Sequence, residues 1–225
     1  MTLIFDYDGT LHNTTHVYGC SFRAAYAWLV AQGYAPERYY PDEAVTKWLG
    51  MTAQEMWTDF MPELPDDIWR RANDIVAAEM ARQVLAGCGS LYAGIPEALD
   101  LLRAEGFRMV ILSNCMRSYM AAHRTAFLLD RWFSGYFCAE DYRFIPKEEM
   151  FLAIREQFPD AGYLVVGDRA SDCKVGLVHG LPTIGCAYGF GTEEELGFCT
   201  AVIRSPDQLP QTVRRLSASV RIEKN

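Results

Sequence analysis

Asp6 and Asp8, in the run Asp6-Tyr7-Asp8-Gly9-Thr10-Leu11, stand two residues apart just after a short apolar segment. Side chains alternate along an extended backbone, so both carboxylates leave the chain on the same side, and Gly9 lets it turn away sharply. Such a pair can divide the labour of group transfer, one carboxylate as nucleophile and the other as general acid and base. An Asp-Gly turn beside a solvated aspartate would use the same residues without chemistry. Ser113-Asn114 ends a second apolar segment, where a hydroxyl and backbone N–H groups can either hold phosphoryl oxygens or cap the next helix. Lys147 opens a helical pattern, and a cation at a helix N-terminus runs against the macrodipole, so a compensating anion is expected beside it. Gly167-Asp168-Arg169-Ala170-Ser171-Asp172 brings two more carboxylates to the end of a third apolar segment. They could cap and open a helix. Clustered carboxylates do not all stay ionised without a cation, however, and hard oxygen ligands at an open site suit Mg2+.

These groups need a scaffold that delivers them to one place. Short apolar runs at 3–5, 109–112, 163–166 and 183–187 read as buried strands, each bounded by charge, Gly or Pro. Helical patterns at 96–105, 118–129 and 147–157 fall between them. Strands alternating with helices predict an α/β fold with a parallel sheet covered on both faces. The alternation breaks from about residue 14 to 90, where only helical patterns occur, at 21–32, 42–48, 52–60 and 66–85. That stretch predicts an inserted all-helical domain, 14–90, on a sheet domain formed by 1–13 and 91–225. The connections would lie near 12–15 and 87–94, the second a hinge rich in glycine (Gly87, Gly89, Gly94).

The chain has 225 residues and a net charge of −8. This acidity argues against nucleic acid or an anionic membrane as partner, and requires any phosphate site to concentrate donors locally. Seven cysteines, an odd number without a CxxC pair, read as buried small hydrophobes in a reducing compartment. The N-terminal residues show neither a basic segment nor an apolar core of a leader, and no apolar run is long enough to span a bilayer, so cytoplasmic residence is expected.

Taken in order, DxDGT, a Ser at the next strand end, an isolated Lys and GDxxxD resemble the four motifs of the haloacid-dehalogenase superfamily, and the helical insertion resembles its type 1 cap. The resemblance spans nearly the whole chain and implies a Rossmann-like core. It implies that Asp6 attacks phosphorus to form an aspartyl-phosphate. Asp8 would protonate the leaving oxygen and then deprotonate water. Ser113, Asn114 and Lys147 would bind the phosphoryl group. Mg2+ would be held by Asp6, the Asp8 carbonyl and Asp168, with Asp172 one water further out. Asp8 is similar to the second aspartate of phosphatases and phosphomutases, which dehalogenases and ion pumps lack. The third motif commonly continues Lys-Pro, whereas Pro146 precedes Lys147 here, and Lys174 is its rival. The cap loop Trp48-Leu49-Gly50-Met51-Thr52 resembles a specificity loop, so Trp48 and Lys47 are candidate substrate contacts, as is His12. His16, Arg23 and the stretch Tyr188-Gly189-Phe190-Gly191-Thr192-Glu193 are expected near the cleft, the last resembling phosphoglycolate-phosphatase-like members. The implied function is hydrolysis of a small phosphorylated metabolite. A sugar phosphomutase of the β-phosphoglucomutase kind, a non-catalytic binding module and phosphonate cleavage through Lys47 are the alternatives.

Overall fold

All four apolar runs become strands of one sheet, and two strands that patterning did not signal complete it. The computed structural model describes residues 1–222. β1 (Thr2–Phe5) leads into α1 (Thr15–Ala31), α2 (Asp42–Val45), α3 (Ala53–Phe60) and α4 (Asp66–Leu85). There follow α5 (Ile95–Ala104), β2 (Arg108–Ser113), α6 (Arg117–Phe127), β3 (Gly135–Cys138), α7 (Lys147–Gln157) and β4 (Tyr163–Gly167). The chain continues with α8 (Ala170–His179), β5 (Thr183–Cys186), α9 (Glu193–Leu196), β6 (Ala201–Ile203) and α10 (Leu209–Ile222).

The sheet is parallel throughout, in the order β3-β2-β1-β4-β5-β6. Leu3 and Phe5 face one layer of core, whereas Ile4, Val110 and Val165 face the other with Met150 and Phe151 of α7 and Val175 of α8. Burial on both faces is why these strands read as unbroken apolar runs. This is a Rossmann-like order, and the chain's direction of winding reverses between β1 and β4. Outside the C-terminal ends of those two strands lies the crevice where such sheets bind ligands.

Helices α1 to α4 all fall between β1 and β2 and form the helical cap. Its entry and exit run side by side: Asn13 N–H donates to the Ser90 carbonyl at 2.9 Å and Tyr92 N–H to the Leu11 carbonyl at 2.9 Å. Rings of Phe22, Tyr26, Tyr40, Trp48 and Phe60 pack together inside the cap. The helical stretch expected at 42–48 divides into α2 and a 3-10 turn, Thr46–Trp48. Val45 and Trp48 are both buried, and tighter winding keeps residues three apart on one side.

One cysteine pair corrects the expectation of free thiols. Cys173 of α8 and Cys199, just after α9, form a disulfide across a Cα–Cα distance of 5.5 Å, where α8 and α9 pack together. Cys20, Cys88, Cys115, Cys138 and Cys186 are free. Among the described residues no helix is long and apolar enough to cross a membrane.

Candidate active site

Asp6 and Asp8 follow β1 directly, at the reversal of winding. The Asp6 N–H still donates to the Val166 carbonyl at 2.8 Å, so the ladder with β4 holds the residue one step past the strand. The chain then folds back, with Leu11 N–H and His12 N–H both donating to the Tyr7 carbonyl, at 2.9 and 3.0 Å. Gly9 makes that turn at φ +86°, and a Cβ there would stand 2.2 Å from Asp168 Oδ2. Any other residue would push the first motif off the fourth.

Asp168 and Asp172 arrive from the end of β4, and Lys147 from the first turn of α7. Lys147 Nζ lies 2.7 Å from Asp6 Oδ1 and 2.7 Å from Asp172 Oδ1. These are the anions that a lysine at a helix N-terminus calls for. Asp172 Oδ2 accepts from Arg169 N–H at 3.0 Å, so both its oxygens are engaged. Asp168 accepts from the Thr10 hydroxyl at 2.9 Å and from Phe190 N–H at 2.8 Å. Carboxylate oxygens of Asp6, Asp168 and Asp172 lie within 4.8 Å of one another, and all three residues are buried. Burial, with Asp172 adding, pushes the Asp6 carboxyl well up against the opposing pull of Lys147. Burial and Asp172 likewise push Asp168 up to about 7. Burial alone would lower Lys147, but Asp172 and Asp6 outweigh it and hold the ammonium on. Three buried acids against one ammonium leave negative charge unbalanced, and the donors are hard oxygens. The cluster fits a small divalent cation such as Mg2+.

Asp8 is dressed differently. Its Oδ1 accepts from the Tyr119 hydroxyl at 2.5 Å and the Thr14 hydroxyl at 2.7 Å, and lies 3.3 Å from His12 Nδ1. All three partners meet Oδ1, which leaves Oδ2 for the cavity. Burial raises the Asp8 carboxyl, but hydrogen bonding and charge from His12, the foremost of several opposing groups, outweigh it, so the group sits below the usual carboxylate range. A second layer backs these partners: Tyr7 Oη and His123 Nδ1 share a hydrogen bond of 2.7 Å, and the His123 ring packs on Tyr119 and His12. Burial, with the neighbouring His12, pushes His123 down to about 3, so it is neutral near pH 7. Sequence reading missed Thr14, Tyr119 and His123. The one signal was Tyr7, an aromatic with a hydroxyl in a buried strand-end position.

A cavity of about 140 Å3 opens between these strand ends and the cap, lined by Asp6, Asp8, Ser113, Asn114 and Lys147 on the core side and by Trp48 on the cap side. Ser113 is buried at the end of β2, and its Oγ accepts from Cys115 N–H at 3.3 Å. Asn114 lines the cavity, and its amide also donates to the Gly50 carbonyl at 3.2 Å, latching the cap loop. His12 is fully buried behind Asp8 and does not line the cavity, because its ring stacks on Tyr7 and its Nδ1 is 2.9 Å from the Thr14 hydroxyl. Lys47 turns outward, 60% exposed, pairing with Asp59 at 3.0 Å and lying over the Trp48 ring. Lys174 is also exposed and pairs with Glu148, so Lys147 is the lysine at the site. His16 and Arg23 pair with Asp42 away from the cavity. The Tyr188 to Glu193 stretch packs behind Asp168 instead of facing the cleft. A Cβ on Gly191 would stand 1.9 Å from the Asp168 carbonyl oxygen.

Residues 1–180 match the haloacid dehalogenase-like hydrolase family. A phosphoglycolate phosphatase from Haemophilus influenzae is 24% identical, over 83% of this chain and 85% of the relative. A 5'-nucleotidase from Pseudomonas aeruginosa is 30% identical over 47% of this chain and 49% of its own. The crystal structure of a predicted phosphatase from Clostridium acetobutylicum superposes with a TM-score of 0.81 at 22% identity, over 96% of this chain and 98% of that one. The structure of a predicted phosphoglycolate phosphatase from Haemophilus somnus gives a TM-score of 0.78 at 19% identity, over 94% and 97%. At these identities the two structures speak for the fold.

Proposed function

The chain belongs to the haloacid dehalogenase-like hydrolases, and on that footing we propose that it is a Mg2+-dependent phosphomonoester hydrolase with Asp6 as nucleophile and Asp8 as general acid and base. The observation that carries this reading is the unequal dressing of two carboxylates at one strand end. Asp6 stands 2.7 Å from Lys147 in the acid cluster, and Asp8 is pinned through a single oxygen.

In the first half-reaction an Asp6 oxygen forms a bond to phosphorus as the bond from phosphorus to the alcohol oxygen breaks. The Asp8 carboxyl gives its proton to that leaving oxygen. In the second, ionised Asp8 takes a proton from water, which attacks the aspartyl-phosphate and regenerates the Asp6 carboxylate. Its low-lying carboxyl favours this second role at rest, and an approaching phosphate dianion raises it toward the first. Such proton transfer contributes about 10²–10⁴-fold. Lys147 pulls the Asp6 carboxyl toward its ionised form against the effect of burial and, with Ser113, binds phosphoryl oxygens. Asp6, the Asp8 backbone carbonyl and Asp168 would hold Mg2+, with Asp172 adding negative charge beside them; when bound, the ion would supply positive charge against the phosphoryl oxygens. Residues 14–90 act as the cap over a core of 1–13 and 91–225. The relatives' names support a small phosphorylated metabolite as substrate.

Phosphate release from a panel of phosphomonoesters, with and without Mg2+ and with Asp6→Asn as control, tests the reading. Metal-dependent release that disappears in the variant is expected. Release from no ester would remove it.

A further inference from the structure

The phosphoryl end of the cavity is charged, but the part that must hold the alcohol is not. The cap loop supplies Trp48, Leu49 and Met51, α3 supplies Met56, and α4 supplies Val76 and Met80. On α4 the lining residues Asn73, Val76, Ala77 and Met80 fall at i, i+3, i+4 and i+7, so one continuous stripe of the helix faces the cavity. Neutral polar groups on this side are few: Asn73, Thr52 and the Tyr18 hydroxyl, with Thr52 already bonded to Glu55 at 2.8 Å.

Among the described residues Lys147 is the one lysine or arginine lining the cavity, and it is held by Asp6 and Asp172. The neighbouring cation, Arg169, lies in the adjoining groove. Its guanidinium donates to Glu195 at 3.0 and 3.3 Å and to the Leu49 carbonyl. A second anionic group on the substrate, such as a carboxylate or another phosphate, would be stripped of water against methionine, valine and tryptophan with no cation to meet it. Thioethers from Met51, Met56 and Met80 converge from three elements, a surface that adapts to a ring and makes favourable sulfur contacts with it.

Resting on the hydrolase reading above, we infer that the substrate is the phosphomonoester of an uncharged alcohol with an apolar body, and that esters carrying a second anionic group, such as phosphoglycolate, are discriminated against. The alcohol oxygen faces Asp8, and its apolar body lies against the α4 stripe.

The test compares kcat/KM of the full chain with Mg2+ for 2-phenylethyl phosphate, phosphoglycolate and glycerol 3-phosphate, all esters of alkyl alcohols, so that leaving-group acidity does not decide the ranking. The phenylethyl ester is expected to exceed phosphoglycolate by at least ~30-fold, because a desolvated, unpaired anion is penalised more than a missing methylene. Asn73→Arg, which places a cation on the cap wall at a half-buried position, should raise kcat/KM for phosphoglycolate and lower it for the phenylethyl ester. Phosphoglycolate equal to or better than the phenylethyl ester in the unaltered chain overturns the inference and leaves the hydrolase reading standing. Release from none of the esters, p-nitrophenyl phosphate included, overturns both.

Discussion

On the core wall of the cavity, Asp6, Asp8, Ser113 and Lys147 are buried or nearly so and are fixed by hydrogen bonds and ion pairs to groups at strand ends. On the cap wall, Met51, Met56, Val76 and Met80 present apolar surface, and the flanking cations Lys47 and Arg23 pair with Asp59 and Asp42 away from the cavity. The first wall concentrates charge where a parallel sheet reverses its winding. The second is a surface of shape and dispersion. Bond making should therefore depend on the core wall, and selectivity on the cap wall. Four substitutions can break or sharpen that division.

The largest effect is expected at Asp6. Asp6→Asn keeps the shape and the Lys147–Asp172 pair but removes the attacking oxygen's charge, so kcat should fall by at least ~10⁴-fold, as for other covalent nucleophiles. The readout is phosphate release in a single turnover, with a thermal melt to show that the variant folds. Activity within about ten-fold of the unaltered chain would take the chemistry away from Asp6.

Asp168→Asn follows. It retains acceptance from Thr10 or Phe190 through its amide oxygen but withdraws one anionic ligand. The Mg2+ concentration for half-maximal activity should rise by about 10–100-fold, with a smaller loss of kcat at saturating metal. A superimposable metal titration would exclude Asp168 from holding the ion.

Tyr119→Phe tests the core wall more finely, since it keeps the ring and removes one of the three partners on Asp8 Oδ1. A kcat loss of about ten-fold is expected on alkyl esters, whose leaving oxygen needs a proton. On p-nitrophenyl phosphate the loss should be smaller, because p-nitrophenolate leaves unaided. Equal losses on both would place the effect of Tyr119 in the water-attack step that every ester shares, and no loss on either would make it a packing residue.

Tyr119 also marks where the sequence stops being legible. Asp6, Asp8, Asp168 and the central strands could be read because their signals are local: a buried parallel strand is a short apolar run, and functional groups follow its C-terminal end. Strands β3 and β6 escaped because each is short and weakly patterned, Gly-Tyr-Phe-Cys and Ala-Val-Ile, and each edges the sheet. The contact between Tyr119 and Asp8 joins residues 111 positions apart, and only the packing of α6 against the turn after β1 creates it. Proximity to the first motif makes His12 a candidate substrate contact. The turn that returns His12 N–H to the Tyr7 carbonyl sends its ring inward, beside Tyr7. Proximity along the chain located the residue without its direction. The same limit applied to Asn114 and Lys47, whose side-chain partners, Gly50 and Asp59, belong to other segments.

Lys47→Ala should have the smallest effect. The ammonium is 60% exposed, pairs with an exposed Asp59 and lies over the outer side of a ring whose indole N–H donates to that same carboxylate at 2.7 Å. Removing it leaves the indole bond in place, and exposed pairs of this kind contribute little. We expect kcat/KM to stay within about two-fold for every ester hydrolysed, and the ranking of esters to stay the same. A large loss would place a working cation on the cap wall and dissolve the division between the walls. It would also revive a role for Lys47 in the chemistry, because no packing loss at so exposed a side chain could account for it. A loss confined to esters with a second anionic group would instead mean that the cap moves enough to bring Lys47 round to the substrate. Conserved turnover with conserved ranking leaves Lys147 as the cation of the cavity and makes the cap wall selective by shape alone.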